Sequence, residues 1–184
     1  MRYIAFLRAI NVGGHTVTMD RLRALLEGIG LRNVSTFIAS GNVLFESSLP
    51  AEELERKMAE HLERSLGYEV GVFLRTPDEL RSVLERLPFS EAEARDGKVH
   101  VCFLPEAPGP QAASEVAALS TSLHRLQVRG RELYWLAFGS MARTDVDERA
   151  LGRVLGMSMT MRNLNTVRRI LARLEADRTP AKDA

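Results

Sequence analysis

Apolar positions along this chain alternate between two periods. "RYIAFLRA" (2–9) is a short run, apolar and aromatic throughout, and reads as a buried strand. Beyond it, Met19, Leu22, Leu25, Leu26 and Ile29 follow at spacings of 3, 3, 1 and 3, one face of a helix. Thr18 is its candidate N-cap and Gly30 its stop. "NVSTFIAS" and "NVLFES" are two strand runs joined at Ser40-Gly41, a tight hairpin signal. Pro50 opens a helix striped by Leu54, Met58, Leu62 and Leu66 and ended by Gly67, and "YEVGVFLR" (68–75) is the next strand. The order is β-α-β-β-α-β, that of a ferredoxin-like fold.

The order then repeats. Thr76-Pro77-Asp78-Glu79 is a capping box opening a helix that Pro88 ends, and the polar "SEAEARDG" (90–97) reads as a loop. "KVHVCFL" (98–104) predicts a strand and 109–120 a helix. "HRLQV" and "ELYWLAF" are strands around Arg129-Gly130-Arg131. Thr144 begins a helix closed by Gly156, "SMTMR" (158–162) is a short strand, and Asn163 caps a last helix. The expectation is an α+β protein of two ferredoxin-like (βαββαβ) halves, 1–75 and 98–176. A connecting helix and loop fill 76–97, and 177–184 is a disordered tail. No residue-level repeat accompanies the repeated order. Strands apolar on alternate and intervening positions need cover on both faces, so the halves are expected to pack into one compact unit.

Composition narrows the class. With 184 residues, 45% of them hydrophobic, the chain can build a substantial core. No apolar run nears the ~20 residues of a membrane span. Met1-Arg2 leads straight into a strand, so no signal peptide is expected. A single cysteine, Cys102, excludes an internal disulfide framework and fits a reducing cytoplasm. A net charge of +1 implies no strong field toward nucleic acid or membrane.

Topology then gathers polar residues. With a right-handed crossover, strands 1 and 2 run the same way. The loop after strand 1, the hairpin at Ser40-Gly41-Asn42 and the first helix N-terminus therefore share one end of the sheet. Arg8, Asn11, Gly13, Gly14, Ser40 and Asn42 meet there, a set suited to an anion: a guanidinium, free backbone donors and a positive helix end. A plainer reading stands beside it, in which Gly13-Gly14 serve backbone geometry and the asparagines satisfy turns. In the second half the same reasoning places Arg129, Gly130 and Arg131 at one end with the loop Gly139 to Thr144, which carries Arg143.

"RAINVGG", "ASGNVLFES" and "RNLNT", in this order and spacing, resemble the bacterial domain-of-unknown-function family 1697. The resemblance implies a single chain of ferredoxin-like halves and no activity. Its usual pattern reads R-G-I-N-V-G-G, S-G-N, G-R-[ST]-K-[LM] and R-N-W-N-T. Here Ala9 replaces a glycine, Asp145 stands at the lysine position and Leu164 replaces the tryptophan; Arg143, Arg162, Asn163 and Asn165 match. These four are candidate second contributors to the ligand site. An acid in place of lysine would lose or reverse any contact to an anion there.

Other chemistries find less support. His15, His61, His100 and His124 show no metal-ligand spacing, Cys102 lies in an apolar strand, and no nucleophile elbow or general base stands out. No catalytic residue, metal or cofactor is assigned. The rival reading is single-stranded RNA binding, with Tyr3 or Phe6 on strand 1 and Phe45 on strand 3 as a stacking platform on the sheet. A third is a structural or interaction module. The best-supported expectation is a site for a small anionic or phosphorylated ligand; the sequence leaves ligand identity and oligomeric state open.

Overall fold

The computed structural model describes residues 1–11, 13–38 and 41–176. It divides into two compact units, Met1–Leu80 with the segment from Ile170 on, and Arg81–Arg169. The tail 177–184 lies outside the described residues.

The first unit follows the expected order: β1 (Arg2–Arg8), α1 (Met19–Glu27), β2 (Arg32–Thr36), β3 (Asn42–Glu46), α2 (Ala51–Leu66) and β4 (Gly71–Arg75). Its sheet runs β2-β3-β1-β4, antiparallel throughout. The helix ends obey their local chemistry. Thr18 accepts the Arg21 N–H at 3.2 Å, and Gly67 takes the left-handed conformation, φ 80°, that closes α2. Leu22, Leu26, Leu54, Met58 and Leu62 bury their stripes against Tyr3, Ala5, Leu7, Val43 and Phe45. The alternate residues Ile4, Phe6, Leu44 and Phe73 are buried too, so this sheet is covered on both faces, as its continuous apolar runs require.

α3 (Pro77–Glu85) starts on the expected capping box: Glu79 Oε2 accepts the Thr76 N–H at 2.7 Å while Thr76 Oγ1 accepts the Glu79 N–H at 3.2 Å. The segment expected to be a loop at 90–97 contains a helix, α4 (Glu91–Asp96). It has no apolar stripe. Ser90 and Glu93 form a reciprocal capping box, and Glu93 also pairs with Arg125.

The second unit repeats the first: β5 (Lys98–Phe103), α5 (Pro110–Ala118), β6 (His124–Arg129), β7 (Glu132–Ala137), α6 (Glu148–Leu155) and β8 (Thr160–Asn163), with sheet order β6-β7-β5-β8. Both halves are thus ferredoxin-like in order and strand arrangement. Cys102, Leu133 and Trp135 face α5 and α6. Tyr134, on the other face, donates its hydroxyl to the Val83 carbonyl of α3 at 3.0 Å. Cys102 is fully buried, and burial pushes its thiol up to about 12.

Two local expectations are corrected. α6 starts after Asp147, whose carboxylate accepts the Ala150 N–H at 2.9 Å, while Thr144 accepts the Val146 N–H in the loop ahead of it. The loop Gly139 to Thr144, with a short 3-10 turn at Met141–Arg143, does not share an end with Arg129–Arg131. β7 runs back from that hairpin, pairing Ala137 with both His124 and Lys98, so its exit lies at the opposite end of the sheet. Finally α7 (Leu164–Ala176) begins where Asn163 Oδ1 accepts the Asn165 N–H at 2.9 Å. No helix among the described residues is long and apolar enough to cross a membrane.

Candidate functional site

β1 ends at Arg8, whose side chain is exposed and pairs across the sheet with Gly71. A Cβ on Gly71 would approach Arg8 Cβ to 3.2 Å, so the glycine leaves space for the arginine stem. The chain then turns through left-handed backbone at Ala9 (φ 70°), Asn11 (φ 55°), Gly13 (φ 62°) and Gly14 (φ 88°). Asn11 tolerates this conformation, and its Oδ1 accepts the Val17 N–H at 2.7 Å, which holds the loop ahead of α1. Gly13 and Gly14 are exposed, with nothing within 4 Å of either Cβ position. His15 stacks on Tyr68 with ring centroids 3.7 Å apart, tying the loop to the connection between α2 and β4.

The β2–β3 connection lies against the same end. The Leu7 N–H donates to the Gly41 carbonyl at 2.7 Å. Gly41 has φ 71° and no room for a side chain: a Cβ would meet Leu7 O at 3.2 Å and Ile10 Cβ at 3.3 Å. Asn42 is fully buried. Its amide donates to the Phe37 carbonyl at 3.0 Å, and its own carbonyl accepts the Phe37 N–H at 2.9 Å. Ser40 lies outside the described residues. Arg8, Asn11, Gly13, Gly14 and Asn42 are therefore brought to one sheet end. Asn11 and Asn42 hold the backbone there, while Arg8 and the two glycines are exposed.

One contributor at this end has no signal in the sequence. Ile38 has φ 60°, a conformation costly for a β-branched residue, and is 42% exposed. Nothing in an isoleucine announces strain, and only the backbone trace reveals it.

The second-unit candidates have different surroundings. Arg162 is buried on β8 and donates to Thr160 Oγ1 at 2.9 Å and to the Met161 carbonyl at 2.8 Å; burial draws its guanidinium down to about 10. Asn163, beside it, pairs with His100 and caps α7, and Asn165 is exposed, accepting from Arg168 at 3.3 Å. Arg143 is exposed in the loop between β7 and α6. Asp145, at the expected lysine position, accepts the Thr121 hydroxyl at 2.7 Å and sits 3.9 Å from His124 Nε2, while His124 Nδ1 accepts the Trp135 indole N–H at 2.9 Å. The acid thus has its own local partners. Leu164, in place of tryptophan, is buried as part of the α7 stripe.

The aromatic platform is absent from the surface. Tyr3, Phe6 and Phe45 are 3%, 0% and 2% exposed, and none of them presents a ring to solvent.

Comparisons with known proteins agree with this architecture. No curated protein matches the chain by sequence. Among solved structures, the chain is similar to the conserved bacterial protein SP0830 from Streptococcus pneumoniae, with a TM-score of 0.75 at 25% identity, over 95% of this chain and 98% of that one. The family model described as "Protein of unknown function (DUF1697)" matches residues 1–134, which include the Arg8 loop and the Gly41 turn and stop short of Asp145 and Leu164. On that match the chain belongs to the DUF1697 family.

Proposed function

We propose that the strand-end loops of the first unit bind a small anionic or phosphorylated ligand, in a protein of the reducing cytoplasm. Arg8 supplies the charge, the Gly13-Gly14 backbone supplies N–H donors, and the N-terminus of α1 adds its dipole. One observation carries the reading. Among the described residues, three of the four non-glycine residues with positive φ, namely Ala9, Asn11 and Ile38, lie at this one sheet end. Asn11 adopts this conformation readily, but at Ala9 and Ile38 it is strained; such backbone persists where the surroundings enforce it, and it concentrates at ligand clamps. The localisation rests on Cys102, a free and buried thiol in a chain with one cysteine.

The test is thermal unfolding with inorganic phosphate and pyrophosphate. A ligand at a hundred times its Kd stabilises by about 2.7 kcal/mol, a shift of several degrees. The wild type should gain this stabilisation and folded Arg8→Ala should lose it. Equal responses from the two proteins would sink the reading. Asn11→Ala serves as a contrast, since it should lower stability by about 1 kcal/mol without any ligand, through loss of the Val17 bond.

A further inference from the structure

His124 of β6 and Trp135 of β7 meet on the helix-covered face of the second sheet, each 1% exposed. The indole Nε1–H of Trp135 donates to His124 Nδ1 at 2.9 Å, the rings meeting edge-on at 88° with centroids 5.9 Å apart. An indole nitrogen can only donate, so this bond fixes the state of the histidine. Nδ1 carries no proton, the ring is neutral, and its own N–H is at Nε2. That nitrogen sits 3.9 Å from Oδ1 of Asp145, a half-exposed carboxylate. The same oxygen accepts the Thr121 hydroxyl at 2.7 Å, and Thr121 Oγ1 accepts the His124 backbone N–H at 3.0 Å. Ring, hydroxyl and carboxylate thus join β6, the turn before it and the loop ahead of α6.

A second proton cannot enter this arrangement and leave it unchanged. It would go to Nδ1 and set an N–H against the indole N–H at 2.9 Å, two donors with no acceptor between them. Trp135 is closed off from water, so its N–H would lose its partner. The imidazolium, by contrast, has an opposite charge within reach in Asp145. We infer that His124 is an acid-sensitive latch in the second unit: on protonation it gives up the Trp135 indole for an ion pair with Asp145, and Trp135 is released from the edge strand β6. Among the described residues, Asp145 is the acid at ion-pair distance from the ring. α5 brings Glu115, exposed and bonded by Gln111, while α6 brings Glu148, Arg149 and Arg153, all exposed, as is Arg143 in the loop. On the sheet, His100 and Lys98 of β5 pair with Trp135 and Ala137, which puts both on the far side of β7 from His124.

The test is an NMR pH titration of the full chain, which carries one tryptophan and so one indole N–H resonance. Between about pH 8 and about pH 5, where histidine changes charge, that resonance should move upfield in a single step while the sheet amides keep their folded positions. Asp145→Asn keeps an acceptor for Thr121 and removes the charge. It should lower the midpoint of the step by about one pH unit, the scale of two unit charges in contact near a surface. His124→Asn keeps an acceptor near the Nδ1 position and takes up no proton, so the folded variant should lose the step. If it does not fold, Asp145→Asn, at a half-exposed position, decides alone. His100→Asn should retain the step, which separates the latch from the histidine paired with Trp135 on β5. An indole resonance that stays fixed, or that moves only as the amide signals are lost, would overturn the assignment. So would a step that survives in folded His124→Asn, disappears in His100→Asn or keeps its midpoint in Asp145→Asn.

Discussion

Ala9 shows how much one residue can reveal. It holds φ 70° at a position where the related pattern reads glycine. A left-handed conformation costs a residue with a Cβ about 1–2 kcal/mol, and part of that returns as the lower entropy of its unfolded state. Ala9→Gly should therefore stabilise the chain by about 0.5–1 kcal/mol, read from urea unfolding with an unchanged slope. A destabilised variant would mean that the Ala9 methyl group packs better than its strain costs. Asp145 teaches a different lesson. A charge reversal judged from sequence looks like a lost anion contact, yet the carboxylate is engaged by Thr121 and lies beside His124. The identity of a residue was readable; the neighbours that decide its role were not.

Among the elements, caps were readable at some helix ends and not at others: Thr144 and Gly30 suggested boundaries that fall at Asp147 and Gly28. Thr18, Gly67 and the Thr76–Glu79 box were legible because each needs a particular residue type at a fixed offset. α4 was missed because six residues without an apolar stripe give no period to detect; its sole signal is Ser90 three residues before Glu93. That cap should be needed for the helix to persist. Ser90→Ala is expected to cost about 1 kcal/mol and to speed amide exchange in residues 91–96 before the sheet amides respond. The misplaced loop at Gly139 to Thr144 has a topological origin. Hairpin strands reverse direction, and an end assigned to one connection cannot be carried over to the next. In the candidate site, the sheet end was legible from chain order, but the engagement of Asn11 and Asn42 with backbone was not, because polar side chains near turns serve either purpose.

For the molecule as a whole, the duplicated order matters more than any motif. Similarity to the Streptococcus pneumoniae structure extends over 95% of the chain at 25% identity, so the architecture outlasts most of its residues. Two of the described groups bear on its response to acid. Burial, above all, keeps the His100 pKa below 6.5, so the unfolded chain binds the proton more readily and stability falls as pH drops through 6.5 toward the folded value. Glu46 is lowered from 4.5, first by the Arg2 hydrogen bond, so a second loss begins below 4.5 as the pair is protonated apart. Stability measured against pH should decline in these two windows. His100→Asn should flatten the upper one and leave the lower one intact; a variant with the wild-type slope above pH 5 would remove His100 from the account.

Cys102 gives the molecule a built-in clock. It is the chain's one thiol, on the central strand β5 of the second unit, and with its pKa near 12 it hardly ionises while buried. A thiol reagent can therefore capture it only during openings of that sheet, and its labelling rate in native buffer times those openings. If that rate gives an opening free energy equal to the global value from urea, the second unit opens only when everything unfolds. A smaller value would show that this half breathes alone, a distinction one cysteine can read without altering a residue.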